Sequence, residues 1–236
     1  YIYHSGFAIE TEDLLIIIDY YKDSDNDKDK GIVYSQLLKI EKPLYVLSTH
    51  SHHDHYNPEI LSWQELRKDI VYVFSSDILE NEKAQESDAF YLSKLQIFQD
   101  RNIWIKAFGS TDVGGSFLIK AGDKQIFHAG DLNNWHWNEE STQAEVEEAQ
   151  AYYLSELQLL ANETKSLYLA MFPVDPRLGK DCILGATQFV ETIKTELLSP
   201  MHFDEEYEKA SAFKKVAEKY SCECICWKKK GEQISL

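Results

Sequence analysis

Proline and glycine are scarce in this chain of 236 residues, at 5 and 10. That scarcity excludes a collagen-like or linker-rich architecture. Cysteine occurs only at Cys182, Cys222, Cys224 and Cys226, with three of the four crowded into one segment. Such clustering does not make a disulfide framework, so the expected setting is the reducing cytoplasm. The apolar runs, Leu14–Ile18 among them, fall far short of the roughly 18–20 residues of a membrane-spanning helix, and no membrane contact is expected. No signal-peptide pattern is visible. Basic residues are outnumbered, 24 Lys and Arg against 40 Asp and Glu, for a formal net charge of −16. No basic stripe is available to release counterions, which argues against nucleic acid as a partner. Hydrophobic residues make up 44% and aromatic residues 13%, which excludes a disordered chain and is enough to bury a core. No break in composition and no short-period repeat divides the chain, so residues 1–236 read as a single domain.

Alternating and continuous apolar segments predict strands near Tyr1–Thr11, Leu14–Tyr21, Pro43–Ser48, Ile70–Phe74, Ile103–Phe108, Ser116–Lys120, Gln125–Ala129, Leu167–Phe172 and Cys222–Trp227. Gly122-Asp123 marks a hairpin turn. Helices are predicted after Asn57-Pro58, an N-cap followed by a proline suited to the first helical position, and over Thr142–Leu160, Gly185–Leu197 and Glu205–Tyr220. Strands and helices occur in both halves, which gives an α/β class with layered packing. The polar segment Lys22–Lys30, with alternating charges, lacks glycine at the sixth position and glutamate at the twelfth of a calcium loop, and reads as a solvated loop. The Cys222, Cys224 and Cys226 alternation reads as one buried strand face rather than a zinc motif, whose cysteines are spaced more widely.

The most informative segment is Thr49-His-Ser-His-His-Asp-His55. Read as His-x-His-x-Asp-His, it sets three imidazoles and a carboxylate within six residues, the donor types a borderline divalent cation takes. It directly follows a predicted buried strand, at the carboxyl end where ligand sites of α/β sheets lie. Clustered histidines repel one another when charged, and a cation gives them a reason to stay neutral. Two further segments, Phe127-His-Ala-Gly-Asp131 and Ser199-Pro-Met-His202, also place a donor just after an apolar stretch.

Together the three segments resemble the metallo-β-lactamase-fold metal-dependent hydrolase superfamily along essentially the whole chain. The opening Tyr3-His-Ser-Gly-Phe-Ala-Ile-Glu10, with Ala107-Phe-Gly-Ser110 and His128–Asp131, is similar to the L-ascorbate-6-phosphate lactonase-like branch. The resemblance implies a four-layer αββα sandwich with the metal site at one edge between the sheets. It implies that His50 and His52 hold a first metal, that Asp54, His55 and His202 hold a second, and that Asp131 bridges them. One departure stands out. The family carries a third histidine for the first metal between the Asp-His pair and the Gly-Asp, yet no histidine lies between His55 and His128, and Gly109 falls near the expected place. The first metal is then left to Asp112, to His136 or to solvent, and one or two ions remain open.

The resemblance implies a hydrolase with a zinc cofactor, manganese or another divalent metal being the alternative. It would use a metal-activated water on a small ester, lactone or phosphoester, with Asp54 as the catalytic carboxylate. His4, Trp135, His136 and Arg177 are the candidate substrate-binding residues. Arg177 has the planar fork suited to a carboxylate or phosphate, and an ion pair with Asp175 is the structural alternative. His4 and His128 also fit as strand and core histidines. Two other readings are a non-catalytic metal-binding protein on the same fold and a phosphodiesterase or nuclease. A small-molecule substrate is the expected partner; the oligomeric state is left open.

Overall fold

The computed structural model describes residues 1–236. Twelve strands form two sheets. The first is ordered β1 (Phe7–Glu10), β2 (Leu15–Ile18), β3 (Leu44–Ser48), β4 (Ile70–Ser75) and β5 (Phe90–Leu92). Only β1 runs antiparallel to its neighbour. The second sheet, from one edge to the other, is β12 (Glu223–Cys224), β11 (Lys194–Met201), β10 (Ser166–Pro173), β9 (Lys124–His128), β8 (Ser116–Ala121), β7 (Ile103–Phe108) and β6 (Ile97–Gln99). Its β9 to β12 half is parallel and its β6 to β9 half antiparallel. No helix is long and apolar enough to cross a membrane.

The continuous apolar strands are explained by burial on both faces. In β2 and β3, Ile16, Ile18, Tyr45 and Leu47 join the large core between the sheets, while Leu15, Ile17, Leu44 and Val46 pack outward in a second core. That outer core is covered by α1 (Ile32–Ser35), the 3-10 segment Pro58–Glu65 and α2 (Ser76–Glu80). On the far side of the second sheet lie α3 (Gln143–Glu163) and α4 (Leu184–Thr192). Phe189 of α4 packs on Phe127 and Phe172, and Tyr153 of α3 on Phe172, which completes the four layers of the αββα sandwich. A capping box starts α3: Thr142 accepts from the Glu145 amide, and the Glu145 carboxylate accepts from the Thr142 amide at 2.8 Å.

Several elements differ from the sequence expectation. The helix expected over Gly185–Leu197 stops at Thr192, and Lys194–Met201 is instead strand β11, paired along its length with β10. β-Branched Thr195 suits the strand, Ile193 before it is already extended, and eight-residue β10 gives it a partner. The helix expected over Glu205–Tyr220 is broken into α5 (Tyr207–Ser211), α6 (Lys214–Ala217) and a 3-10 turn. The segment after Asn57 is a 3-10 rather than an α-helix, although Asn57 caps it by accepting from the Glu59 amide at 2.9 Å. The Cys222–Trp227 strand shrinks to Glu223–Cys224, with Cys222 and Cys224 buried.

Candidate metal centre

The carboxyl ends of five parallel strands deliver the site. Asp19 follows β2, the segment Thr49–His55 follows β3, Asp131 follows β9, Asp175 follows β10 and His202 follows β11. Backbone conformation makes the convergence possible. His4, Asp19, His202 and Asp204 all adopt positive φ, between 49 and 62°, a region most side chains avoid.

Four imidazoles, those of His4, His50, His55 and His202, are fixed from behind. His55 Nδ1–H donates to Asp19 Oδ2 at 2.8 Å, His202 Nδ1–H to Asp175 Oδ2 at 2.8 Å, and His4 Nδ1–H to Asp204 Oδ1 at 3.0 Å. His50 Nδ1–H meets the Thr49 hydroxyl at 3.1 Å, which itself donates to Asp19 Oδ2 at 2.7 Å. Spending the Nδ1 proton on these partners leaves the Nε2 lone pair of every ring facing inward, the tautomer a metal ligand requires.

The inward atoms have no partner. Nε2 of His4, His50, His55 and His202, and Oδ1 of Asp131, are buried without a hydrogen bond. His55 Nε2 lies 3.1 Å and His202 Nε2 3.3 Å from Asp131 Oδ1, while His50 Nε2 lies 3.3 Å from Asp131 Oδ2. Facing acceptors at such distances repel unless a proton or cation sits between them. Each buried acceptor left alone costs about 1–3 kcal/mol, so the donor set fits a divalent cation. Asp131 presents one oxygen to His55 and His202 and the other to His50, which is the arrangement of a carboxylate shared between two sites. The donor atoms of His4, Asp54, His55 and His202 form one compact group, and those of His50, His55 and Asp131 another.

The electrostatics follow from the same contacts. Burial alone would lower the His55 pKa, but the Asp131 and Asp19 carboxylates outweigh it and hold the ring well above its ordinary value in the metal-free chain. Burial would raise Asp131, yet His55, His50 and His202 bring it well below the usual carboxylate range. Asp54 is likewise lowered against its burial, by His4 and His55. His4 is raised, Asp204 and Asp54 overcoming its burial.

The remaining sequence candidates separate clearly. His52 lies at the mouth, half-exposed, with Nδ1 3.6 Å from Asp112 Oδ2. Trp135 borders the cluster, its ring 5.7 Å from that of His202, and its indole N–H donates to the Asp131 carbonyl at 2.8 Å. Arg177 is on the rim; its guanidinium grips Asp175 through Nε at 2.9 Å and Nη2 at 2.5 Å. His136 is placed elsewhere. Its Nδ1 accepts from the Asn138 amide at 3.1 Å and its Nε2 meets the Asp181 carbonyl at 3.3 Å, so it ties two loops together and has no free nitrogen. His128 is also spent, with Nε2–H on the Ser5 carbonyl at 2.9 Å and Nδ1 accepting from the Gly130 amide at 3.2 Å. Gly109 faces away from the cluster: a Cβ there would lie 2.1 Å from Glu156 Oε2 of α3. Asp19 and Asp204 are the functional carboxylates that motif reading passes over. The signal for Asp19 was an acid ending an apolar strand.

Residues 1–148 match the family described as a beta-lactamase superfamily domain. Among solved structures, a metallo hydrolase from the hyperthermophilic archaeon Ignicoccus hospitalis superposes with a TM-score of 0.70 at 17% identity, over 99% of this chain and 95% of that one. The metallo-beta-lactamase fold protein YhfI from Bacillus subtilis gives 0.63 at 14% identity, over 98% and 91%. A possible metal-dependent hydrolase from Veillonella parvula gives 0.60 at 11% identity, over 100% and 97%. At these identities the likeness is one of fold. No curated protein matches the sequence. The family match spans well over half of the 236 residues, and on it the chain belongs to the beta-lactamase superfamily domain family.

Proposed function

We propose that this protein is a metal-dependent hydrolase of a small ester, lactone or phosphoester. The observation that carries the reading is the set of buried, unpartnered Nε2 atoms of His4, His50, His55 and His202 around Asp131, each ring held in the ligating tautomer from behind. Asp54, His55 and His202, with His4 beside them, would hold one ion; His50 and His52 would hold another, with Asp131 shared. Zinc or manganese suits these donors. When bound, such an ion lowers the pKa of water and polarises a carbonyl or phosphoryl oxygen.

The chain's own residues supply the rest. Asp54 stays ionised at neutral pH, is about a quarter exposed, and lies between His4 and the inner cluster, placed to orient the attacking water or accept its proton. As a ligand its basicity is reduced, so orientation is its larger role. His4 Nδ1–H donates to Asp204 and its Nε2 lies 3.3 Å from Asp54; against its burial, both carboxylates raise its pKa, so the ring is suited to carry a second proton beside the substrate side. Trp135 and Trp137 stack with centroids 6.0 Å apart beside His202, and Arg177 lies 5.9 Å from the Trp137 ring. That rim suits a planar or anionic substrate group. The net charge of −16 disfavours a nucleic-acid substrate. The opening Tyr3–Glu10 segment supports a lactone substrate, as in the lactonase-like branch it resembles. The four free cysteines, with the Cys222 thiol pushed up to about 11 by burial, suit the cytoplasm.

The test is a panel of lactones, carboxylic esters, phosphomonoesters and phosphodiesters with zinc- or manganese-loaded protein. Turnover of a lactone or ester that is lost with the metal in His55→Ala supports the reading. A metal-loaded protein inert to the whole panel contradicts it.

A further inference from the structure

We propose that Asp112 supplies a carboxylate donor to the first metal, beside His50, His52 and Asp131, where the family resemblance leads one to expect a third imidazole. The inference rests on the metal-hydrolase reading above and assigns the remaining donor of the first site.

The loop that carries Asp112 is built. Between β7 and β8, Gly115 N–H donates to the Thr49 carbonyl at 3.0 Å and Ser116 Oγ to the Gly109 carbonyl at 2.9 Å. The Thr111 hydroxyl donates to the Asn133 carbonyl at 2.6 Å and accepts from the Asn133 amide at 2.9 Å. Residue 111 is thereby stapled to the strand end that carries Asp131. Tyr152 of α3 holds the Ser110 carbonyl at 3.0 Å from the other side. At Gly114, φ is +65° and a Cβ would stand 2.3 Å from that of His50, so the backbone passes directly against the first ligand loop. Asp112 is delivered between these anchors.

Its side chain is half-exposed and meets the site through one partner. The carboxylate makes no hydrogen bond and no ion pair except with His52, at 3.6 Å. Donor atoms of His52, Asp112 and Asp131 lie within 4.8 Å of one another. Gly109, by contrast, is directed at Glu156, so no side chain at that position reaches the site. Two imidazoles and two carboxylates form a harder donor set than three imidazoles and one carboxylate, and tilt the site from zinc toward manganese. His52 and Asp112 of the first site are half-exposed, although His50 and Asp131 are buried, whereas His55 and His202 of the second are both buried. The two sites therefore load unequally, the buried one first.

Equilibrium titration with Zn²⁺ and with Mn²⁺, followed by elemental mass spectrometry after dialysis, reads this directly. The intact chain should take up two ions, one tightly and one more weakly. Asp112→Ala and Asp112→Asn should keep the tight ion and weaken the second by roughly 100-fold or more, since even a residue behind a ligand is worth 10–100-fold. Asp112→His should restore the second ion and shift its preference toward Zn²⁺. His202→Ala should instead lose the tight ion. Thermal melting of the metal-free variants, unchanged for an exposed position, excludes misfolding. A second ion bound by Asp112→Ala with unchanged affinity overturns the proposal. So does a chain that binds a single ion abolished by His202→Ala, which leaves the hydrolase reading standing. A chain that binds no ion overturns both.

Discussion

Replacing Asp19 by asparagine probes how the site is held. Asp19 is fully buried at the end of β2. Its Oδ1 accepts from the Thr49 amide at 2.7 Å, and its Oδ2 accepts from the Thr49 hydroxyl at 2.7 Å and from His55 Nδ1–H at 2.8 Å. Its φ is +51°, a conformation that asparagine tolerates as well as aspartate does. The substitution thus preserves shape and backbone while removing charge and turning one acceptor into a donor. With the amide oxygen on the Thr49 N–H, the amide NH₂ confronts His55 Nδ1–H. The ring escapes by shifting its proton to Nε2, where it points into the cluster and blocks the lone pair. One charge-assisted hydrogen bond is lost, worth about 1.5–3 kcal/mol. For a chain of this size that lowers the melting temperature of the metal-free protein by roughly 3–12 °C, at about 2–4 °C per kcal/mol. Loss of the partner behind a ligand should weaken metal binding by about 10–100-fold. Calorimetric titration and scanning calorimetry measure the two effects separately. If Asp19→Asn melted lower but bound metal with wild-type affinity, the tautomer argument would be refuted and Asp19 would be merely structural.

Other expectations follow from the same contacts. Metal uptake by His55 must displace its proton, and in the metal-free chain Asp131 and Asp19 hold that pKa above 6.5. Affinity should therefore fall, by up to about tenfold per pH unit, from a pH already above 6.5; a flat affinity from pH 8 down to 6.5 would contradict this. At Gly130, φ is +54° and a Cβ would lie 2.6 Å from the Gly115 carbonyl and 2.8 Å from Thr49 Oγ1. Gly130→Ala should cost about 2 kcal/mol or more and depress the melting temperature by roughly 4–8 °C. Arg177→Met should raise KM for anionic substrates by roughly tenfold or more through the lost charged contact while leaving metal content intact; an unchanged KM would remove Arg177 from substrate binding.

The His50 to His55 segment and Asp131 were legible because each follows an apolar strand, and a donor fixed to a strand end has little freedom in where it lies. His202 was marked only by the short apolar stretch before it, because part of its strand β11 reads as helix. The double-sided apolar runs of β2 and β3 likewise announced central strands. What sequence missed was set by tertiary partners. Asp19 and Asp204 act by what they face, through His55 and His4; the apolar strand before Asp19 marks its place at a strand end but not its partner. His136 reads as a pocket residue by position, but the Asn138 amide and Asp181 carbonyl claim both its nitrogens. The short strands β5 and β6 are three residues each, with Phe90 and Ile97 exposed, too brief to show a period. The boundary at Ile193 was lost because a helical spacing of apolar residues runs on into β11, where pairing with β10 decides the outcome.

The central claim is that imidazoles from distant stretches grip a cation together. Anomalous scattering from a crystal grown with Zn²⁺ or Mn²⁺, and without chelator, tests it most directly. The account predicts a peak bonded to Nε2 of both His55 and His202 and to Asp131, at about 2.0–2.2 Å for zinc. A fully soaked crystal with no peak among these atoms, or with metal only at surface carboxylates, would contradict it.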